Sequence, residues 1–185
     1  SVFWVIRRSA AMTPGYRFLL GDASTYDFCG DGAMKIWSSI YASASVKNGQ
    51  TRLDGALVTG TTTDRPLDLA VVSVVTTANA SADAFSRDRN IAGRSWWGDL
   101  AELVIYERDL TLAEVRSIEA YLAGRYGIGL DFKGFAEKVA SPDVKGLFAA
   151  LAKGEPPSIA KNVYEEAIKV HGITDAFLAD KPRFA

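Results

Sequence analysis

The sequence predicts a mainly β protein: a two-sheet antiparallel sandwich, closed by one capped helix and continued by a helical C-terminal extension. Three observations predict it. Short apolar runs separated by glycine, proline and asparagine turns recur from residue 1 to about residue 108, the punctuation of a sandwich. Thr111-Leu-Ala-Glu114 then forms a capping box, in which two side chains satisfy backbone N–H groups orphaned at a helix start. Beyond it the apolar spacing changes from two to three or four residues.

In chain order, Val2, Trp4 and Ile6 alternate with Phe3, Val5 and Arg7, which predicts an inner strand largely covered on both faces. A Pro14-Gly15 turn leads to a strand over Tyr16–Leu20, and Met34–Trp37 and Ala42–Lys47 are two further short runs. Asn48-Gly49 predicts a type I′ hairpin turn, because both central residues of that turn need positive φ. Asp54-Gly55 repeats the signal, so Val46–Val58 is expected to form two consecutive hairpins. Leu69–Thr77 is a core strand, and Ala78–Asn90, with Arg87, Asp88 and Arg89, is a solvated loop or a contact surface. Leu100–Tyr106 is expected to be a buried strand, with Ala101, Leu103 and Ile105 on one face and Glu102 and Tyr106 on the other. Val115, Ile118, Leu122 and Arg125/Tyr126 give the closing helix its apolar stripe, and Gly127 sits where it stops.

The run Gly98-Asp-Leu-Ala-Glu-Leu-Val-Ile-Tyr-Glu-Arg-Asp-Leu-Thr-Leu-Ala-Glu114, followed by Tyr121-Leu-Ala-Gly-Arg-Tyr-Gly-Ile128, resembles the closing strand and helix of the concanavalin A-like (LamG or laminin G-like) jelly-roll family. Bacterial and bacteriophage members carry G-x-(I/L)-A-E-(I/L)-x-(I/V)-Y-x-R-x-L-(S/T)-x-x-E there, then Y-L-x-x-(K/R)-Y-G-(I/L). The run Val46-Lys-Asn-Gly-Gln-Thr-Arg-Leu-Asp-Gly-Ala-Leu-Val58 is similar to a second family pattern, V-x-N-G-x-x-R-x-(D/N)-G-x-x-V. The resemblance covers about two thirds of the chain. It implies a jelly-roll domain over residues 1–130 whose N-terminal part is missing, since Ser1 already lies inside a strand pattern.

Residues 131–185 lie beyond the resemblance. They predict three short helices, Phe132–Val139, Asp143–Ala152 and Ser158–Val170, the last entered through Pro156-Pro157. Their apolar residues, among them Phe135, Leu147, Phe148, Ile159 and Phe177, are too numerous to leave in water, so the segment is expected to dock on the sandwich, on a neighbouring subunit or on both.

Composition narrows the function classes. The chain is 48% hydrophobic and 23% charged, ordinary for a globular protein. A net charge of −1 gives no electrostatic case for nucleic acid or an anionic membrane as partner. The longest apolar run, Leu69–Val75, suits a strand rather than a membrane span. A single cysteine, Cys29, excludes an intrachain disulfide and fits folding in a bacterial cytoplasm, including that of a virion part assembled before lysis.

Hydrolases on this scaffold carry Glu-x-Asp-x-(x)-Glu on one strand, with two carboxylates about 5–5.5 Å apart. None of the glutamates (Glu102, Glu107, Glu114, Glu119, Glu137, Glu155, Glu165, Glu166) falls in that pattern. The only histidine, His171, lies in the extension, and nothing brings it to Cys29, which is expected to be a small, partly buried residue. The chain is therefore expected not to be an enzyme. Asp22, Asp27 and Asp31, with Ser24 and Thr25, crowd a glycine-rich loop. Family relatives bind calcium in such rim loops, whereas the plain reading is turn chemistry; no other cofactor is expected. Glycan contact would fall to Tyr26, Trp37, Tyr41, Trp96 and Trp97, the alternative being that these rings are core or covered by helix. Trp96 and Trp97 should face opposite ways.

The expectation is thus a non-catalytic structural or binding module of a bacteriophage virion protein, a head decoration or a tail or fibre component, contacting glycans and joined to other subunits through residues 131–185. The alternative is a carbohydrate-binding module of a secreted bacterial surface protein or glycoside hydrolase, located outside the cell.

Overall fold

Val2–Arg8 (β1) is the inner strand that its apolar residues on both faces predict. The computed structural model describes residues 1–131, and in it β1 lies between Ala70–Val75 (β5) and Gly98–Ile105 (β7), antiparallel to both. Gln50–Leu53 (β3) pairs with the other edge of β5, and Ala56–Leu57 (β4) with β3, giving a five-stranded antiparallel sheet ordered β4-β3-β5-β1-β7. A second antiparallel sheet is a two-stranded pair, Leu20–Gly21 (β2) with Ala84–Phe85 (β6). Two helices complete the described fold, Ala44–Lys47 (α1) and Leu112–Tyr126 (α2). Neither is long and apolar enough to cross a membrane. The described residues are mainly β, with two antiparallel sheets and few helices. The three helices expected after residue 131, and all but the first residue of the 131–185 extension, lie outside the described residues.

Period-two alternation divides the core between the two faces of the large sheet. Val2, Trp4, Ile6, Val72 and Val74 face a core completed by loops, where Trp4, Phe28 and Trp37 meet at ring-centroid separations of 6.0–6.2 Å. Phe3, Val5 and Val71 face the other way, onto Val115, Ile118 and Leu122 of α2. Burying each of those aliphatic side chains stabilises the docked helix by about 1.5–3 kcal/mol. Capping sets both ends of α2. Thr111 and Glu114 form the reciprocal box, the Thr111 N–H donating to Glu114 Oε2 at 2.7 Å, and Gly127 stops the helix at φ 67° with its N–H on the Ala123 carbonyl.

Five expectations are corrected. Ala42–Lys47 is not a strand, because its last four residues form α1. Asn48-Gly49 is not a hairpin turn: Asn48 caps α1 at φ −93°, and Gly49 leads directly into β3. Tertiary packing explains this, since a Cβ at Gly49 would collide with the Val75 carbonyl oxygen. The Asp54-Gly55 turn does join β3 to β4, with φ 47° and 82° at its two central residues. Tyr16–Leu20 is not one strand: only Leu20 enters β2, and the residues before it are irregular, with isolated bridges from Phe18 to Cys29 and Ser95; Met34–Trp37 likewise makes a single bridge, Lys35 to Asp64. Finally, β7 is a half-covered edge strand rather than a buried one. Its register slips from Val5↔Glu102 to Ile6↔Leu100, so Ala101 is an extra, exposed residue. The bulge resets the alternation: Leu100 and Leu103 both pack on the loop-side core, whereas Val104 and Tyr106 pack under α2.

Candidate functional site

A cleft of about 370 Å³ opens among the loops on the Trp4 side of the large sheet, lined by Tyr16, Phe18, Tyr26, Cys29, Tyr41, Arg89, Ile91 and Arg94. Its walls come from four separate segments that the irregular Phe18 stretch ties together. The Phe18 N–H donates to the Arg94 carbonyl at 3.1 Å, the Gly30 N–H to the Arg17 carbonyl at 2.9 Å, and the Ser86 N–H to the Leu19 carbonyl at 3.1 Å. Gly21 lets the chain pass so close to Arg87 that a Cβ would overlap the Arg87 carbonyl oxygen. Arg65, buried behind these loops, donates to the Gly15 carbonyl at 3.2 Å and the Asp31 carbonyl at 2.5 Å, and burial pulls its guanidinium down to about 10.

Asp88 organises the polar wall. Its side chain is fully buried and accepts from Arg89 Nε at 2.8 Å and from Arg94 Nη1 at 2.9 Å. Arg89 sits at φ 49°, a left-handed conformation that costs on the order of 1–2 kcal/mol for a side-chain-bearing residue, and the Asp88 pair holds it there. Each guanidinium covers an aromatic ring: Arg89 lies 5.0 Å from the Tyr26 centroid and Arg94 5.2 Å from that of Tyr16. Tyr41 meets Tyr16 edge to face at 5.3 Å and stays 47% exposed. The cleft therefore combines open tyrosine surface with two oriented guanidinium groups.

The five aromatic candidates separate. Tyr26 and Tyr41 line the cleft. Trp37 is wholly buried, its Nε1 donating to Thr51 Oγ1 at 2.7 Å, and is a core residue rather than a ligand contact. Trp96 is buried and Trp97 is 45% exposed, opposite ways as adjacent extended residues must be. Trp97 lies outside the cleft lining, beneath the Arg17 guanidinium at 5.9 Å. Arg89 and Asp88 belong to the Ala78–Asn90 stretch expected as a solvated loop or a contact surface; Arg89 does line the cleft, whereas Asp88 is buried rather than solvated, and Tyr16 and Arg94 were not among the expected contacts. The sequence signal for Asp88 and Arg89 is the dense alternation of charge over Arg87–Arg89, which does not reveal that Asp88 turns inward.

The three aspartates do not come together as a ligand set; among the described residues no cluster of three carboxylate, imidazole or thiol groups could hold a metal. Turn chemistry accounts for each. Asp22 accepts from the Thr25 N–H at 2.5 Å, the Ser24 N–H at 2.7 Å and the Ser81 hydroxyl at 2.8 Å. These donors, the Thr25 and Ser24 backbone first, hold its carboxyl well below the usual range. Asp27 accepts from the Ser81 N–H and Asp31 from the Ala33 N–H. Cys29, on the cleft floor, is buried, and desolvation pushes its thiol up to about 12.

On the opposite face of the sheet, beneath α2, Glu119 is fully buried and joined to Arg52 Nε at 3.1 Å and to the Ser73 hydroxyl at 2.6 Å. Arg52 also donates to the Gly55 carbonyl. This network is a staple between helix and sheet, remote from the cleft. Glu102 accepts from the Tyr126 hydroxyl at 2.9 Å and faces Arg125 at 3.6 Å, so it too has basic and phenolic partners rather than a second carboxylate.

Comparison with protein families, with curated proteins and with solved structures returned no match for the chain. What the cleft can bind is therefore argued from its own chemistry.

Proposed function

We propose that residues 1–130 are a non-catalytic glycan-binding module of the concanavalin A-like jelly-roll kind, carried by a bacteriophage virion protein as a head decoration or a tail or fibre component. The observation that carries the glycan reading is the cleft itself, in which Tyr16, Tyr26 and Tyr41 offer ring surface beside polar donors. Sugars present apolar C–H faces and a rim of hydroxyls, and rings flanked by fixed donors match both. The two antiparallel sheets are compatible with a jelly roll, and the strand–helix signature at Gly98–Ile128 supports the family reading.

The non-catalytic part rests on what lines the cleft. No aspartate, glutamate or histidine is among the lining residues, and the one thiol there is protonated at neutral pH. On this reading residues 131–185 dock the module to neighbouring subunits of the virion.

The second reading, a carbohydrate-binding module of a secreted bacterial surface protein or glycoside hydrolase, is favoured by one observation. Every lining residue lies between Tyr16 and Arg94, so recognition needs no neighbouring subunit. Light scattering on the full chain separates the two: a defined oligomer supports the virion role, and a monomer at all concentrations supports the free-standing module.

The glycan reading itself is tested on a glycan array. The full chain should bind a restricted set of glycans, and Tyr41→Ala, at a half-exposed site where folding is not at stake, should lose them. Equal retention of the wild-type chain and Tyr41→Ala, or no retention of either, would overturn it.

A further inference from the structure

We propose that the cleft selects acidic sugars, a uronate-type carboxylate lying against Arg94 while the sugar ring rests on Tyr41; this deepens the glycan-binding reading and rests on it.

Charge counting comes first. Asp88 contributes one negative charge and Arg89 and Arg94 two positive ones, so the cleft wall carries one surplus positive charge, and no acidic residue lines the cleft to cancel it. A chain of net charge −1 has no general attraction for polyanions, so a preference for an acidic ligand must arise from such a local site.

Donor geometry comes second. Arg94 gives only Nη1 to Asp88. Among the described residues its Nε and Nη2, which form one straight edge of the guanidinium, donate to no hydrogen bond, and neither does Nη1 of Arg89. Two parallel N–H donors on one edge match the two oxygens of a carboxylate. Ring stacking on Tyr16 and the ion pair to Asp88 restrain that edge before the ligand arrives, which lowers the ordering cost of binding. A neutral sugar would leave those charged donors facing hydroxyl groups, a weaker acceptor by roughly half. Sulfate esters share the negative charge but not the planar pair of oxygens, so they serve as a control.

The experiment is calorimetric titration of the full chain with a galacturonate hexamer, the same hexamer reduced at its carboxyl groups, and a sulfated neutral hexamer. The acidic hexamer should bind at least about tenfold more tightly than either of the others. Arg94→Gln should bring its affinity down to that of the reduced hexamer. Arg94→Lys, which keeps the charge and the Asp88 partner but not the two-donor edge, should lose most of the preference. Tyr41→Ala should weaken the acidic and reduced hexamers alike, and Arg7→Gln, outside the cleft lining, should change nothing. Equal affinity for the acidic and reduced hexamers would overturn the acidic preference and leave the glycan reading standing. Equal affinity for the sulfated hexamer would overturn the carboxylate assignment. A preference that survives Arg94→Gln would place it outside this cleft, and failure of all three hexamers to bind the wild-type chain would overturn both readings.

Discussion

Arg94 reaches the fully buried carboxylate of Asp88 at 2.9 Å while its guanidinium stacks 5.2 Å from the ring centroid of Tyr16. Asp88 therefore sets the direction of the donors that the cleft presents. Asp88→Asn should lower glycan affinity at least about tenfold and cost about 1–3 kcal/mol of stability, because two arginines lose a charged acceptor. Calorimetric titration and urea denaturation read the two effects. Unchanged affinity in a folded Asp88→Asn chain would remove Asp88 from the site.

The Arg52–Glu119 pair belongs to stability, not to binding. Glu119→Ala leaves Arg52 buried against Ser73 and the Gly55 carbonyl without a counter-charge, and should cost about 3–5 kcal/mol. The double change Arg52→Met with Glu119→Leu should recover most of that loss, since a well-packed apolar pair removes the desolvation cost. Both chains, where folded, should bind glycan as the wild type does.

Acid should destabilise the fold through Asp22 and Glu114. Backbone and hydroxyl donors depress Asp22 below its ordinary 3.8, and Arg108 with the Thr111 cap draws Glu114 from 4.5 to about 2. A depressed folded value means that the unfolded chain binds protons first, so this stabilisation is present above about pH 4.5 and is lost as pH falls towards 2. Burial raises Glu119 and Asp54, which act with the opposite sign, the folded chain taking up their protons first. Urea midpoints for Asp22→Asn should lie below wild type at neutral pH and converge with it in acid. Parallel curves would show that Asp22 carries none of the pH dependence.

Two tryptophans that look alike in the sequence should behave differently. Trp37→Ala removes a fully buried ring packed on Trp4 and Phe28 and should cost about 3–5 kcal/mol. Trp97→Ala removes a half-exposed ring under Arg17 and should cost about 1 kcal/mol or less. Thermal unfolding followed by circular dichroism makes the comparison.

Cys29 should be inert in the folded chain. With its thiol pushed up to about 12, a thiol reagent at pH 8 should label it only on the timescale of unfolding. Immediate stoichiometric labelling would show an open floor and a reactive thiol.

What the sequence made legible was whatever local chemistry alone decides. Thr111, Glu114 and Gly127 satisfy backbone groups within one helical turn, and the two apolar faces of Val2–Arg8 need no other information to place β1 inside the sheet. Asn48-Gly49 misled because the turn preference of that pair was overridden by α1 and by the close approach of Val75. Ala101 was misplaced for a similar reason, since a bulge exists only relative to the partner strand. In the cleft, Tyr26 and Tyr41 could be named as aromatic candidates, but Trp37 and Trp96 carry the same signal and lie in the core. Asp88 was hidden among charged neighbours, and one of the two partners it meets when turned inward, Arg94, lies six residues further along the chain. Long-range loop packing built the site, and a single sequence carries little trace of it.

The most direct measurement is a ¹H–¹⁵N and aromatic NMR titration of the full chain with the galacturonate hexamer. The account predicts saturating shifts at the Arg94 and Arg89 Nε–H groups and at the rings of Tyr16, Tyr26 and Tyr41, with Arg52, Glu119 and the rest of α2 unmoved. Saturating shifts centred elsewhere, on the Arg7–Asp99 pair or on α2, with the Arg94 and Tyr41 signals still in place, would contradict it.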